Sequence, residues 1–249
     1  MQNDIENTID KWFEHTMIDI MSQSDAVRRK DVDALSPVDK LCMTVLPLAN
    51  NYCKAIFSLT RNDHRLPVMA LIRTIGELAL RVTWCLEGNT GETPEVRIER
   101  LRKRAYKQYL RILYNFPDAF ERIDADVASG VRQVIDAMQK EINSWPHKEA
   151  PPLYNSLADL PSEAKVTHAL VYAVHNIAAH PDILLMESLT ETKEGARYFM
   201  PDTKAFTSND LRRNCLHAAR TIVLAIRQYY RLDVNEIEKD FIQLAKGLT

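Results

Sequence analysis

Glycine is scarce, with six residues in a chain of 249. Strand-and-turn architectures depend on turn glycines, so this shortage excludes an all-β fold and a Gly-rich nucleotide-binding fold. Cysteine is rarer still: Cys42, Cys53, Cys85 and Cys215 lie far apart, with no C-x-x-C pair. A zinc ribbon and a thioredoxin-like motif are thereby out. All four thiols fall in apolar helical patterns, which reads as reduced, buried cysteine in a cytoplasmic protein. Charge of one sign is also lacking. The net charge of −2 gives no global pull toward nucleic acid or membrane, so any basic surface must be local. No run of about 18 apolar residues occurs, so neither a membrane span nor a membrane partner is expected. The opening MQNDIENTIDKW is acidic and polar, unlike a secretory signal. Walker, G-x-S-x-G, H-E-x-x-H and G-x-G-x-x-G motifs are absent, as is the repeated Glu-x-x-His of di-iron bundles. The expectation is a protein working with no metal and no cofactor.

What is present is helical periodicity. Apolar residues make up 46% of the chain and charged residues 27%, an ordinary globular balance. Apolar positions recur at helical spacing almost throughout, predicting an all-α fold, a single bundle of seven to eight helices. The reading assigns residues 1–35 to an N-terminal helix and a charged connection, and residues 36–249 to the bundle. Ser36-Pro37 marks a helix start, with a bend expected at Pro47. Gly88 marks a helix end, and Thr93-Pro94 and Thr207 mark further starts. Two segments, 146–163 and 191–206, read as irregular connections.

Two polar stripes interrupt apolar helices. One carries His168, Tyr172, Asn176 and His180, each four residues from the next and so on one helical face. The other carries Arg73, Glu77 and Arg81 at the same spacing. Charges among apolar neighbours must be paired, because burying one alone costs several kcal/mol, roughly. The two stripes are therefore expected to face each other, with Glu77 orienting a histidine or Asn176. The alternatives are satisfied core histidines for the first and an intrahelical ion-pair ladder for the second.

The segment His175-Asn176-Ile177-Ala178-Ala179-His180 resembles the Arg-Asn-x-x-x-His motif of HEPN (higher eukaryote and prokaryote nucleotide-binding) domains, with Asn176 and His180 matching. Arg73-x-x-x-Glu77 and Tyr172…Asn176…His180-Pro181 are also similar to motifs of uncharacterised bacterial helical proteins. The resemblance implies a metal-independent ribonuclease or RNA-binding protein, a homodimer, in a toxin or phage-defence setting with an antitoxin or other partner protein. It implies a catalytic set of His180 and Asn176, with His175 as cationic helper and Glu77 or Tyr172 as orienting groups. The chain departs from the motif at its arginine, which is His175 here. Histidine is a cation only when protonated and lacks the guanidinium fork that grips phosphate in two places.

Two further basic features stand out. Arg97, Arg100, Arg102, Lys103, Arg104, Lys107 and Arg111 crowd one helix with Tyr106 and Tyr109. That surface is either a phosphate-tracking, base-stacking face or a merely solvated one. Arg102, Arg104, Lys107 and Arg73 are the RNA-binding candidates. Arg212 and His217 form a second Arg-x4-His candidate near a helix start. Of a different class is a non-catalytic helical interaction protein, whose polar stripes fix helix register.

Overall fold

The computed structural model describes residues 2–29, 31, 33–62, 64–114, 124–173, 190–193, 196–199 and 207–248. The fold is all-α, with nine α-helices among the described residues. They form two compact units, one of Met1–Asn89 with Asp159–Thr249, the other of Thr90–Ala158.

In the larger unit, α1 (Gln2–Gln23) leads through Ser24 into the short α2 (Asp25–Arg29). α3 (Pro37–Arg61) starts at a capping box: the Ser36 hydroxyl accepts from the Asp39 N–H, and Asp39 returns a bond to the Ser36 N–H. Pro37 sits where a missing N–H costs nothing, while α3 continues through Pro47. α4 (Arg65–Glu87) ends at Gly88, where an added Cβ would stand 2.4 Å from the Trp84 carbonyl oxygen. α7 (Ser162–Thr167) continues as a π-helical turn over His168–Ala173. α8 (Ser208–Tyr229) starts at a second capping box, Thr207 with Asp210, and α9 (Asn235–Gly247) closes the unit.

α4 and α8 form the central pair, and α3 packs on both. Val68, Ile72, Ile75 and Leu80 of α4 meet a core that α8 supplies with Leu211, Leu216, Ile222 and Ile226, all fully buried. Each such side chain contributes about 1.5–3 kcal/mol of burial free energy. α1 buries Ile5, Ile9, Trp12, Phe13 and Ile20 in the same unit, packed on α3 and α8. The expected boundary at residue 35 is therefore corrected. The first helix carries a full apolar stripe and belongs to the larger unit, and the seam falls at residues 89–90 and 158–159.

The smaller unit pairs α5 (Pro94–Leu113) with α6 (Ala125–Ser144) around Leu110, Ile135 and Ile142. Tyr106, Val131, Met138 and Trp145 pack against that small core. Thr93 caps α5 and Asp124 caps α6.

Three segments read as connections hold regular structure. Residues 25–29 are helical, with Val27 fully buried as the apolar anchor. Leu153–Asp159 is a 3-10 helix. β1 (Thr190–Lys193) and β2 (Ala196–Phe199) pair antiparallel, Thr190 opposite Phe199 and Lys193 opposite Ala196. Alternation in T-E-T-K and A-R-Y-F favours such a ribbon, but four residues per strand are too few to announce it.

Candidate functional site

The Arg73-Glu77-Arg81 stripe folds as the four-residue spacing dictates. Glu77 Oε1 accepts from Arg81 Nε at 2.9 Å and from Arg81 Nη2 at 2.7 Å. Arg73 Nη1 stands 3.5 Å from Glu77 Oε2. The three side chains are only 20%, 27% and 23% exposed, so this is a half-sunk ladder and not a solvated edge pair. Two guanidiniums share one carboxylate. α4, which carries the ladder, packs against α7 and the π turn that follows it. The helices that carry the two stripes are thus in contact as far as residue 173.

The second stripe is described only in part. His175, Asn176 and His180 lie outside the described residues. Tyr172 falls in the π turn His168–Ala173. A π turn takes more than four residues, so groups four apart fall short of a full turn where an α-helix would carry them past it. His168 is half-buried, and burial pulls its pKa below the usual imidazole value, favouring the neutral ring. Next to it, the buried hydroxyls of Thr167 and Thr221 meet at 2.8 Å and tie α7 to α8.

Arg212 and His217 face different neighbours. Five residues on a helix turn through about 140° from alignment. His217 stacks edge-on against Phe241 of α9 at 4.8 Å. Burial, then Arg220 and Arg213, lowers its pKa. Arg212 Nη1 reaches Asn209 Oδ1 at 3.5 Å, and burial and the charge of Arg61 lower the Arg212 pKa. The pair does not converge on one ligand.

The basic residues of α5 are engaged within the smaller unit. Arg100 Nη1 donates to both oxygens of Glu92, at 2.7 and 2.6 Å. Arg97 is buried, and its guanidinium donates to the Glu92 carbonyl. Lys103 Nζ donates to the carbonyls of Trp145 and His147 at 2.8 and 2.9 Å, and Arg104 Nη1 to that of Ala150 at 3.1 Å. Lys107 pairs with Glu149 at 2.9 Å. Arg102 meets Glu141 at 3.4 Å and lies 5.2 Å over the Trp145 ring. Arg102 and Lys107 keep roughly half their side chains exposed, at 57% and 44%. The helix uses its charge to hold the extended segment 145–150, whose carbonyls lack a helical or sheet partner.

One group carried no signal in sequence. Glu87, the last residue of α4, is pushed up to about 7 by burial and then by Glu163. Its Oε1 is buried with no hydrogen-bond partner. A glutamate before a helix-ending glycine is commonplace, and only the packing of α7 and α8 makes this one unusual.

No curated protein and no solved structure matches the chain. A family described as of unknown function (DUF5677) matches residues 39–197, from the first turn of α3 to the second strand of the ribbon. That span covers α4 with its ladder, α7 and the His175–His180 segment, and more than half of the sequence. On that match the chain belongs to this family of unknown function, DUF5677.

Proposed function

We propose that the protein acts on RNA, as a metal-independent endoribonuclease or RNA-binding protein of the HEPN type. The observation that carries this reading is the half-buried Arg73-Glu77-Arg81 ladder, held on a helix packed along the segment that enters the His175–His180 motif. Two guanidiniums held in fixed positions around one carboxylate are the kind of group that grips a phosphodiester. In this reading His180 takes the proton from the ribose 2′-hydroxyl, whose oxygen attacks phosphorus. The 5′-oxygen leaves with a proton drawn from water, His180 returns its own proton to solvent, and a cyclic phosphate remains. Asn176 forms the core of the site with His180, Glu77 or Tyr172 orients the reacting groups, and His175 supplies positive charge when protonated. The reading carries with it a homodimer, a toxin or phage-defence setting and an antitoxin or other partner protein.

End-labelled RNA incubated with the purified protein in EDTA tests it. Cleavage by wild type, lost in His180→Ala with the helical circular dichroism unchanged, supports the enzyme. Binding without cleavage that weakens steeply with salt supports the binder. Neither cleavage nor salt-dependent binding overturns both. The second reading, a non-catalytic interaction protein, is favoured by the internal pairing of the α5 cations. It is retained if His180→Ala unfolds the protein and wild type never cleaves.

A further inference from the structure

A cavity of about 250 Å³ lies between α4, α7 and α8 in the larger unit, apart from the ladder. Its polar lining is Thr83 and Glu87 from α4, Glu163 from α7, and Thr221 and Gln228 from α8, over an apolar floor that includes Ala164 and Leu224. Both threonine protons are already committed. Thr83 Oγ1 donates to the Ala79 carbonyl and Thr221 Oγ1 to that of His217, each at 2.9 Å. Thr221 Oγ1 also accepts from Thr167 Oγ1 at 2.8 Å, so all that either threonine oxygen has left to offer a ligand is an acceptor lone pair. Glu87 and Glu163 add carboxylate acceptors, and Glu87 Oε1 is buried without a partner. No Lys, Arg or His is among the described residues lining the cavity. A hollow so rich in acceptors, and served by one amide as donor, is complementary to a group that only donates.

We propose that this cavity binds a small primary ammonium ion with a short apolar body, its N–H groups on Glu87 and the threonine oxygens. An ammonium has three donors and no acceptor, which matches the lining, and an anion is rejected by both carboxylates. The size agrees: ligand pockets usually run from about 300 Å³ upward, so the occupant is small. A bare metal ion fits poorly. No group of three or more His, Cys, Asp or Glu among the described residues could hold one. The site is independent of the RNA reading.

Butylammonium is the probe, with butanol as the uncharged control, followed by calorimetry and ligand-observed NMR on the full chain. Saturable butylammonium binding at about pH 8.5 is expected, with butanol on the order of tenfold weaker or undetectable. Glu163 on α7 is the titratable group facing Glu87, and Arg220 of α8 stands 3.8 Å from Glu163. With Glu87 titrating at about 7, affinity falls between pH 8.5 and 5.5, by an amount approaching the roughly tenfold loss expected of Glu87→Gln. Glu87→Gln lowers affinity by on the order of tenfold at pH 8.5. Glu163→Gln, at an exposed rim position, lowers it less. Failure of butylammonium to bind, equal binding of butanol, or affinity indifferent to both pH and Glu87→Gln overturns the proposal. The pH series and the alcohol control need no variant, so a folding defect in Glu87→Gln leaves the test intact.

Discussion

The Tyr230 hydroxyl donates to Asp39 Oδ1 at 2.5 Å, joining the C-terminal end of α8 to the N-terminal end of α3. Asp39 is also the carboxylate of the α3 capping box, its other oxygen holding the Ser36 N–H and hydroxyl. One side chain thus completes a helix start and fastens it to a helix 191 residues away. Tyr230→Phe is expected to cost about 1.5–3 kcal/mol, the range for a hydrogen bond to a charged group. Asp39→Ala costs more, because a cap worth about 1 kcal/mol is lost as well. Urea denaturation of the two variants measures both. Equal costs would show that the cap contributes nothing.

The same corner sets an alkaline limit. Burial pushes the Cys42 thiol up to about 12 from an ordinary value of 9.0, and pushes the Tyr230 phenol up as well. A group that holds its proton more tightly when folded stabilises fully below its unfolded pKa, and loses that contribution as pH rises toward the folded value. Stability should therefore be level up to about pH 9 and decline from there toward pH 12. Urea midpoints across that range check it, with a shallower decline in Cys42→Ala.

Glu87 predicts a slope at lower pH. Its carboxyl is raised from 4.5 to about 7, so its stabilising contribution is complete below pH 4.5 and lost as pH rises through 7. Glu87→Gln should match wild type near pH 4 and exceed it near pH 8. Thermal melts at the two pH values are the measurement, and a variant weaker than wild type at both contradicts the reading.

Arg227 is the buried pivot between α1 and α8. Its guanidinium meets Asp19 at 2.8 Å and the Asp233 carbonyl at 2.6 Å, with Thr16 at 3.3 Å. Arg227→Met is expected to destabilise by about 2–4 kcal/mol, less than a fully buried pair because Asp19 is partly exposed. A smaller loss in Asp19→Asn, seen in chemical denaturation, would confirm that the carbonyl bond carries the difference.

The smaller unit has a thin core, so truncation there should be felt locally. Ile142→Ala is expected to cost about 2–4 kcal/mol. Hydrogen exchange should speed up in α5 and α6 and remain unchanged in α4 and α8.

The helices were legible in sequence because their punctuation is local. Ser36-Pro37, Thr93-Pro94, Gly88 and Thr207 act within a turn of where they stand, and each is found at the helix end it predicts. The Arg73-Glu77-Arg81 ladder was legible for the same reason, since spacing four is a property of one helix. What depends on distant partners was not. The partners of Lys103 lie 42 and 44 residues away, in the segment from Trp145 to Ala150, whose sequence has neither helical nor strand periodicity. The π turn after Thr167 has no local signal in the residues HALVYA, and Glu87 becomes unusual only once α7 lies over it.

The Asn89 N–H donates to the Asp159 carbonyl at 2.9 Å, so the points where the chain leaves and re-enters the larger unit are clasped together. The 69 residues from Thr90 to Ala158 consequently hang from a closed seam, in the manner of a cassette. Excising them and bridging the gap with a few glycines should leave the remainder a self-sufficient folding body. Grafting other sequences at the same junction should be tolerated on the same grounds.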